Sequence, residues 1–419
     1  MLRILAALLA VSSCASIAQI RSIDPPSGGP FFTLDQALAL AGVSSPSVDA
    51  ALAGIRTADA ARAVAGLRPN PSVVAQTENV MGSGLYRGAR SAETTAGIEL
   101  PIELGGKRSA RIAVADAHGR RAAIAAAAAM ADLRLAVILA YVQAAAAERR
   151  VASAREQAGL AVEGLRAARV RVQAGRASPM EEQRADLVRI NAVAALERAT
   201  RTMEVARGNL ARRIGQPING KLDLAWFDRI DRSDPMSGVD PGGIIAMAAV
   251  RADVATADAQ VRLARAQRVP DITLSASARR FAATNDTAAV FGVSIPFPIF
   301  NNGNAAVAQA RAERDQSDAQ GRLIASETAQ AIATAEAEVA NAATAARTAG
   351  GPALAAAGEA ARIARIGYRE GKFGQLDLLD AERTLSETRV AAIDALAAYH
   401  DALARRDRLT TAAPDLTKD

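Results

Sequence analysis

The chain is poor in aromatic residues and nearly free of cysteine and histidine. Its 419 residues include eight Phe, four Tyr, one Trp, one Cys and two His. Sandwiches, conventional barrels and doubly wound sheets draw on aromatic and β-branched residues for their strands, so this composition disfavours those folds. Cys14, His118 and His400 fall short of the usual four ligands of a structural zinc site. We therefore expect no intramolecular disulfide, no bound metal and no cofactor.

Motifs of hydrolytic enzymes and features of nucleic-acid-binding proteins are also missing. The sequence contains neither a G-x-S-x-G nucleophile turn nor an H-E-x-x-H zinc motif. The net charge is +6, but the arginines are interleaved with Asp and Glu instead of forming a basic block among aromatic residues. These absences predict that the protein is not an enzyme and does not bind nucleic acid.

The first residues have the pattern of an export signal. A basic residue near the start precedes an unbroken apolar run over residues 4–11, and small residues follow. Cleavage after Ala18 would remove residues 1–18. Alternatively, the segment V-S-S-C resembles a bacterial lipobox, in which residues 1–13 are removed and Cys14 is acylated. Both interpretations place the mature protein outside the cytoplasm.

No later segment contains the ~18 or more uncharged apolar residues that a membrane-spanning helix needs. The alanine-rich stretch 122–131 is short, and charged residues such as Arg121 and Asp132 flank it. A protein of this kind that enters a membrane after export does so as a β-barrel. A soluble periplasmic protein, a secreted protein and an outer-membrane barrel all remain open at this point.

The two halves of the chain share landmarks in the same order. The segment G-I-E-L-P ending at Pro101 corresponds to G-V-S-I-P ending at Pro296, and Gly175 corresponds to Gly371. Because the offsets are nearly equal, we predict a tandem duplication of one structural unit. The predicted parts after the signal are a first repeat over 19–220, a linker or equatorial segment over 221–242, a second repeat over 243–412 and a tail over 413–419.

Each repeat contains two segments with strand patterning. They lie at about 72–80 and 92–102 in the first repeat, and at about 271–281 and 288–297 in the second. In the second repeat Ile272 and Leu274 alternate with Thr273 and Ser275, which puts apolar and polar side chains on opposite faces. A barrel with lipid outside and water inside has this pattern. A pair of half-buried hairpins in a soluble domain has it too.

Two very long helices follow the strands of each repeat. From Lys107 to about residue 174 there is no proline, and Ala, Arg, Glu and Leu dominate. At ~1.5 Å per residue such a helix approaches 100 Å, whereas the mean helix has about 11–12 residues. The remaining long helices are predicted at about 179–214, 303–368 and 376–409, with an interruption at Gly350-Gly351-Pro352. Each repeat is therefore a β-hairpin joined to a long helical hairpin.

Four strands cannot close a barrel, because a sheet of four strands leaves two open edges. Three copies would supply twelve strands, an even number within the range of outer-membrane barrels. Edge closure thus favours a trimer, although other stoichiometries also satisfy it.

Six segments of the sequence carry a resemblance to a known family. They are FTLDQAL (32–38), LRPNP (67–71), ELGGKR (103–108), GVSIPFPIF (292–300), YREGKF (368–373) and LDLLDAERTL (376–385). With these segments the chain resembles the TolC-type outer-membrane efflux proteins, most closely the outer-membrane subunits of cobalt–zinc–cadmium resistance systems. The resemblance implies a mainly α-helical homotrimer with a twelve-stranded outer-membrane β-barrel and a periplasmic helical tunnel. It also implies a periplasmic adaptor and an inner-membrane RND-type pump as partners.

The same resemblance assigns roles near the ends of the helical hairpins. Asp377 and Asp380 are three residues apart and share one helix face, so a trimer would present six carboxylates around a closed aperture. Tyr368 and Glu181 match the positions of a tyrosine–carboxylate latch in the family. The residues alone also fit another interpretation, in which these are solvated charges near a helix start, where carboxylates favour the helix dipole.

The hairpin tips are expected to meet the adaptor at the periplasmic end. Gly175 and Pro179 bound the first tip, and Gly371, Lys372 and Phe373 form the second. Some relatives have an arginine where Phe373 stands, so the detailed latch is expected to differ.

The expected function is a passive outer-membrane channel of a tripartite efflux pump in a Gram-negative bacterium, with heavy-metal cations as cargo. Export of drugs or of polypeptides through the same fold stays an open alternative, as does a surface helical protein without a transport role. His118 and His400 have no second ligand at metal-binding spacing, so we expect surface or packing roles for them.

Overall fold

The computed structural model describes residues 31–43, 45–230 and 241–415. The chain is mainly helical, with one four-stranded sheet and one two-stranded sheet in the described ranges. The strands are β1 (Phe31–Phe32), β2 (Ser72–Glu78), β3 (Glu93–Ile102), β4 (Lys221–Leu222), β5 (Ile272–Phe281) and β6 (Thr287–Ser294). The helices are α1 (Leu34–Val43), α2 (Pro46–Ala65), α3 (Lys107–Gln173), α4 (Pro179–Ile214), α5 (Leu224–Phe227), α6 (Ile245–Ala266), α7 (Asn304–Thr348), α8 (Leu354–Arg369) and α9 (Gln375–Leu409). The predicted export signal and Cys14 lie outside the described residues.

Local sequence signals explain where the helices begin. Thr33 and Gln36 form a reciprocal capping box at the start of α1, in which each side chain accepts a hydrogen bond from the other residue's backbone N–H. Pro46 starts α2, and Pro179 starts α4 after Ser178, whose hydroxyl accepts a hydrogen bond of 3.2 Å from the Met180 N–H. Proline suits this first helical position because the N–H it lacks has no partner within the helix.

The four-stranded sheet joins the two repeats. Its strand order is β2-β3-β5-β6, all pairs are antiparallel, and β3 pairs with β5 so that Ile98 lies opposite Ala276. Strand β6 ends at Ser294, before the predicted residue 297, because Pro296 cannot donate a hydrogen bond to a strand ladder. Strands β2 and β6 are the edges of the sheet as the described residues form it.

The two faces of this sheet differ in character. One face carries exposed apolar side chains, among them Val73 and Phe291, which are 83% and 80% exposed. On the other face Arg279 forms ion pairs with Glu78 at 3.3 Å and Glu93 at 3.0 Å, which joins three strands. The alternation predicted for the strands is therefore present, with an apolar face and a polar face.

The helices beside the sheet are arranged in the same order as the strands to which they are joined. Helix α2 packs on α3, α3 on α6, and α6 on α7, so α2 and α7 lie at the two ends of a helical layer. Farther along, α3 pairs with α4, while α7 and α8 pair with α9. Between α7 and α8 lies a π-helical segment, Ala349–Ala353, at the predicted interruption.

Charged side chains fasten the junction between sheet and helices. Arg111 on α3 forms an ion pair with Glu103 and donates a hydrogen bond of 3.1 Å to the carbonyl of Leu67, two residues beyond the end of α2. Lys107 pairs with Asp271 at 2.7 Å, which connects the first repeat to the start of β5. The Arg111 guanidinium holds the pKa of the Glu103 carboxyl below its usual value, although burial opposes this shift.

The largest core lies midway along the helices and includes Leu222 and Phe227 from the start of the segment predicted as a linker or equatorial segment. Strand β4 pairs in parallel with β1, and α5 brings the ring of Phe227 into the core. His400 is a packing residue here: its Nε2 donates to the Phe227 carbonyl at 2.8 Å, and its ring stacks on Trp226 at 4.3 Å. His118 is exposed on α3. Among the described residues, no group of three or more His, Cys, Asp or Glu is placed to hold a metal ion.

Helix α3 contains an apolar segment that the sequence analysis did not identify as a possible membrane span. It contains an 18-residue window of mean hydropathy 1.9, long and apolar enough to cross a membrane by length and composition. The bent pair Leu34–Gly42 and Pro46–Ala65 counts as a second such segment if it is taken as one span. The prediction required a segment without charged residues and therefore missed this window. The mean hydropathy of the window stays high even with two charged residues in it. Core helices of soluble proteins pass the same test.

Candidate aperture at the helical hairpin tips

Both hairpin tips use the same glycine turn. Gly175 and Gly371 have φ values of +66° and +73°, the left-handed conformation that glycine adopts without a steric penalty. The Arg176 N–H donates to the Arg171 carbonyl at 2.9 Å, and the Lys372 N–H donates to the Gly367 carbonyl at 2.8 Å. These bonds are typical of a Schellman-type helix end. The duplication predicted from the sequence therefore extends to the hydrogen bonds of the tips.

Phe373 folds back onto the last turn of α8. A Cβ atom at Gly367 would lie 2.1 Å from Cδ2 of the Phe373 ring, so only glycine permits this contact. The Phe373 side chain is still 42% exposed. The aromatic ring therefore packs against its own hairpin while presenting its outer edge at the tip.

Tyr368 and Glu181, predicted to form a latch, are brought together by the fold. Tyr368 lies near the end of α8 and is 6% exposed, and its hydroxyl donates to Glu181 Oε2 at 3.3 Å. Burial raises the pKa of the Tyr368 hydroxyl, and the Glu181 carboxylate acts in the same direction. The hydroxyl therefore keeps its proton, and with it the ability to donate, above the usual range of a tyrosine.

Arg171 is a third member of this contact that the sequence did not reveal. Its guanidinium carbon lies 4.6 Å from the centre of the Tyr368 ring, within the range of a cation–π interaction. Its Nη1 also donates to the Tyr368 carbonyl at 3.0 Å. Arg171 and Gly367 occupy equivalent positions of the two repeats, at the offset of Gly175 and Gly371. At this pair of equivalent positions one repeat has a large residue and the other has glycine. That difference was the signal in the sequence for a contact between the hairpins.

Gln375 ties the second hairpin to the first from the other side. It is 7% exposed at the start of α9, and its Nε2 donates to the Glu181 carbonyl at 2.7 Å. Beside it lies a cavity of about 370 Å³ between α3, α4, α8 and α9, which Tyr368 also lines. Arg365 and Glu382 border the same cavity and join α8 to α9 through a two-point ion pair.

Asp377 and Asp380 lie outside this cluster. Asp377 accepts a hydrogen bond of 2.9 Å from the Gly374 N–H and so caps its own helix. Asp380 forms an ion pair with Arg383 at 3.0 Å, and its side chain is 71% exposed. Both carboxylates are exposed on α9, and Asp377 makes the helix-start contact that the alternative interpretation describes. The single chain therefore places them on the surface near the latch.

The remaining tip residues are exposed. Pro179 begins α4, Met180 beside it is 57% exposed, and Leu376 on the second tip is 63% exposed. Lys372 is exposed as well. Each tip therefore has exposed apolar side chains and an exposed turn on its surface.

Comparison with known proteins identifies the family. The chain is 32% identical to the cobalt-zinc-cadmium resistance protein CzcC of Cupriavidus metallidurans over 386 residues, covering 90% of this chain and 89% of that protein. It is 28% identical to the nickel-cobalt-cadmium resistance protein NccC of Alcaligenes xylosoxydans xylosoxydans, over 64% of this chain and 60% of NccC.

The fold is similar to that of a solved outer-membrane protein. The outer membrane protein VceC of Vibrio cholerae superposes with a TM-score of 0.73 at 20% identity, over 91% of this chain and 96% of VceC. The outer membrane efflux protein family matches residues 37–216 and 245–411, one stretch in each predicted repeat. The chain is thus a member of the outer membrane efflux protein family.

Proposed function

We propose that this protein is the outer-membrane channel of a tripartite efflux pump that exports heavy-metal cations. The observation that carries the proposal is the 32% identity to a cobalt-zinc-cadmium resistance protein over nine-tenths of both chains. The exported metal is cargo that passes through the channel. The channel itself is passive, and an inner-membrane RND-type pump supplies the energy.

The sheet supports a barrel built from three chains. Its edges, β2 and β6, offer backbone N–H and carbonyl groups that a further strand can pair with. The apolar face with Val73 and Phe291 suits lipid, and the polar face with Arg279 suits a water-filled lumen. Three copies joined edge to edge form twelve strands and bring the three sets of long helices into one tunnel. The 67-residue α3 is about 100 Å long at ~1.5 Å per residue, which suits a periplasmic extension.

The tips support a gated entrance. In a threefold arrangement Asp377 and Asp380 supply six carboxylates, and rings of acidic side chains favour cations. The contact of Tyr368 with Glu181 and Arg171 holds the second hairpin against the first. We take this contact as the latch of the closed state. The exposed turns, which include Gly175 and Pro179 in the first tip and Gly371, Lys372 and Phe373 in the second, are the proposed adaptor contacts.

Growth of a deletion strain tests the function. The strain is challenged with zinc, cobalt, cadmium, nickel and a panel of drugs, with and without the wild-type gene. A variant carrying Asp377→Asn and Asp380→Asn serves as the aperture test, because asparagine retains the oxygen that caps α9. Metal sensitivity that the wild type rescues supports the proposal. Sensitivity to drugs alone keeps the channel and replaces the cargo, and full resistance to every compound contradicts the proposal.

A further inference from the structure

The rod formed by α7 and α8 has one irregular turn. The π-helical segment Ala349–Ala353 contains two glycines and a proline, Gly350, Gly351 and Pro352. A proline in an α-helix lacks the N–H for the carbonyl four residues earlier, and its ring clashes with that carbonyl. The wider π turn accommodates both effects, and kinks in helices concentrate at such turns. The rod is therefore easiest to bend at this segment.

Packing is also interrupted here. The buried side chains of α7 end at Ala346, and those of α8 resume at Ala357; the residues between them are exposed or partly exposed. A Cβ built at Gly350 or Gly351 meets no atom of the described chain within 4 Å. A cavity of about 590 Å³ borders both glycines, with walls from α3 and α9. Close packing therefore does not explain why glycine occupies these positions, where it costs helix stability.

The irregular turn is present in one repeat and replaced by regular helix in the other. The offset of 196 between the repeats aligns Ala349–Ala353 with residues 153–157, which lie inside the unbroken α-helix α3. Only the second of these two rods carries Tyr368 at its end, and it leads into the tip with Asp377. The asymmetry thus falls on the rod that holds the proposed latch.

We infer that Ala349–Ala353 is the hinge about which α8 turns when Tyr368 leaves Glu181 and Arg171. This inference rests on the proposed function as a gated channel and adds the place at which the moving hairpin bends. Gly350, Gly351 and Pro352 act as positioning residues, because they set the angle of α8 without touching the cargo.

A small rotation at this hinge suffices to open the latch. Tyr368 lies 16 residues beyond Pro352, a distance of about 24 Å along the helix. A rotation of about 10° at that distance moves the tyrosine by about 4 Å. Such a displacement separates the hydroxyl from Glu181, now at 3.3 Å, and the Tyr368 carbonyl from Arg171, now at 3.0 Å.

The partner helix α9 can follow this motion without a break of its own. Long helices curve with radii of about 60–100 Å. Over the ~30 Å of α9 that lies beside α8, a radius of about 100 Å bends the axis by roughly 17°. Ala357, Ala361 and Leu385 keep α8 and α9 in contact, so the lower hairpin moves as a pair.

The hinge is tested by combining substitutions at the hinge and at Tyr368 and measuring channel opening. Four full-length proteins are purified and measured in planar lipid bilayers: wild type, Tyr368→Phe, a hinge-filled variant with Gly350→Ala, Gly351→Ala and Pro352→Ala, and the combination. Tyr368→Phe is expected to raise the ratio of open to closed time in the wild-type background. Adding the hinge-filled change to Tyr368→Phe is expected to lower this ratio at least about tenfold, because regular helix-forming residues resist the bend of the open state.

Matched controls separate bending from helix stability. Gly164→Ala with Gly358→Ala makes the same chemical change in α3 and α8, again with no atom within 4 Å in the described chain. Added to Tyr368→Phe, this control is expected to leave the ratio of open to closed time unchanged. If the hinge-filled protein fails to reach the outer membrane, Gly350→Ala with Gly351→Ala, which keeps Pro352, is measured in its place with the same expectation.

An equal ratio of open to closed time in Tyr368→Phe with and without the hinge-filled change would overturn the hinge while leaving the channel intact. An absence of current in wild type and in Tyr368→Phe alike would instead reject the channel function and the hinge with it. The two failures are therefore distinguishable.

Discussion

Removal of one hydroxyl group at the hairpin tips should release the closed state of the channel. In Tyr368→Phe the ring stays under Arg171, and only the hydrogen bond of 3.3 Å to Glu181 is lost. A net hydrogen bond contributes about 0.5–1.5 kcal/mol, and bonds to charged groups contribute more. This bond is longer than the usual O–H···O distance, so we take about 1 kcal/mol per chain.

Three chains that open together multiply this effect. Three lost bonds amount to about 3 kcal/mol, which raises the ratio of open to closed states by about 10²-fold. The Arg171→Ala variant removes the bond to the Tyr368 carbonyl and the cation–π contact, so its effect should be at least as large. Arg169→Ala is the matched control, because Arg169 pairs with Glu182 inside the first hairpin at 3.0 Å.

The assay is the open fraction of purified channels in planar bilayers, together with the sensitivity of cells to a large hydrophilic antibiotic. Tyr86→Phe makes the same chemical change at a half-exposed loop position and controls for it. Because the pKa of Tyr368 is raised, its hydrogen bond persists at pH values below the usual tyrosine pKa of 10.0 and is lost as pH rises through the higher folded-state value. An open fraction of Tyr368→Phe equal to that of wild type and Tyr86→Phe, at equal protein levels, would show that this hydrogen bond does not hold the channel closed.

Three further variants probe other charged residues. Arg111 lowers the pKa of Glu103, so the stabilising effect of this carboxylate is present above its usual pKa of 4.5 and is lost as pH falls. Glu103→Gln should therefore lower the free energy of unfolding by about 1 kcal/mol or more at pH 7 and by less at pH 3. Thermal unfolding at the two pH values measures this difference. Burial raises the pKa of Asp401, so the folded state is favoured as pH falls and this carboxyl group becomes protonated. Asp401→Asn replaces the carboxyl with a neutral group, so it should raise the melting temperature at pH 7 and leave it unchanged at pH 3. Asp377→Asn with Asp380→Asn should lower the cation-to-anion permeability ratio several-fold, measured by reversal potentials, and an unchanged ratio would place these carboxylates outside the ion path.

The long helices follow directly from the sequence. Helix α3 was predicted from Lys107 to about residue 174 and ends at Gln173, because alanine-rich sequence without proline permits continuous helix until Gly175 reverses the chain. The strands are found at the patterned segments for a similar reason, since side-chain alternation fixes which face of each strand is apolar. Only the ends differ, where Pro296 and the turn after Glu78 stop the ladders.

The contacts between the two repeats were harder to predict. Arg171 and Gln375 meet residues almost two hundred positions away, and their contacts depend on how two helical hairpins pack. Strand β4 and helix α5 have two and four residues, too few for a periodic pattern, so neither was predicted within the linker or equatorial segment over 221–242. The interruption near Pro352 was predicted, but its π-helical form depends on the backbone geometry.

A role in metal efflux can be measured as the metal that cells retain after washout. Cells with an intact inner-membrane pump are loaded with zinc or cobalt, and their metal content is followed by mass spectrometry in wild type, the deletion strain and the complemented strain. We expect slow metal loss in the deletion strain and a wild-type rate of loss after complementation. Equal rates of loss in all three strains, with the protein present in the outer membrane, would contradict a role in metal efflux.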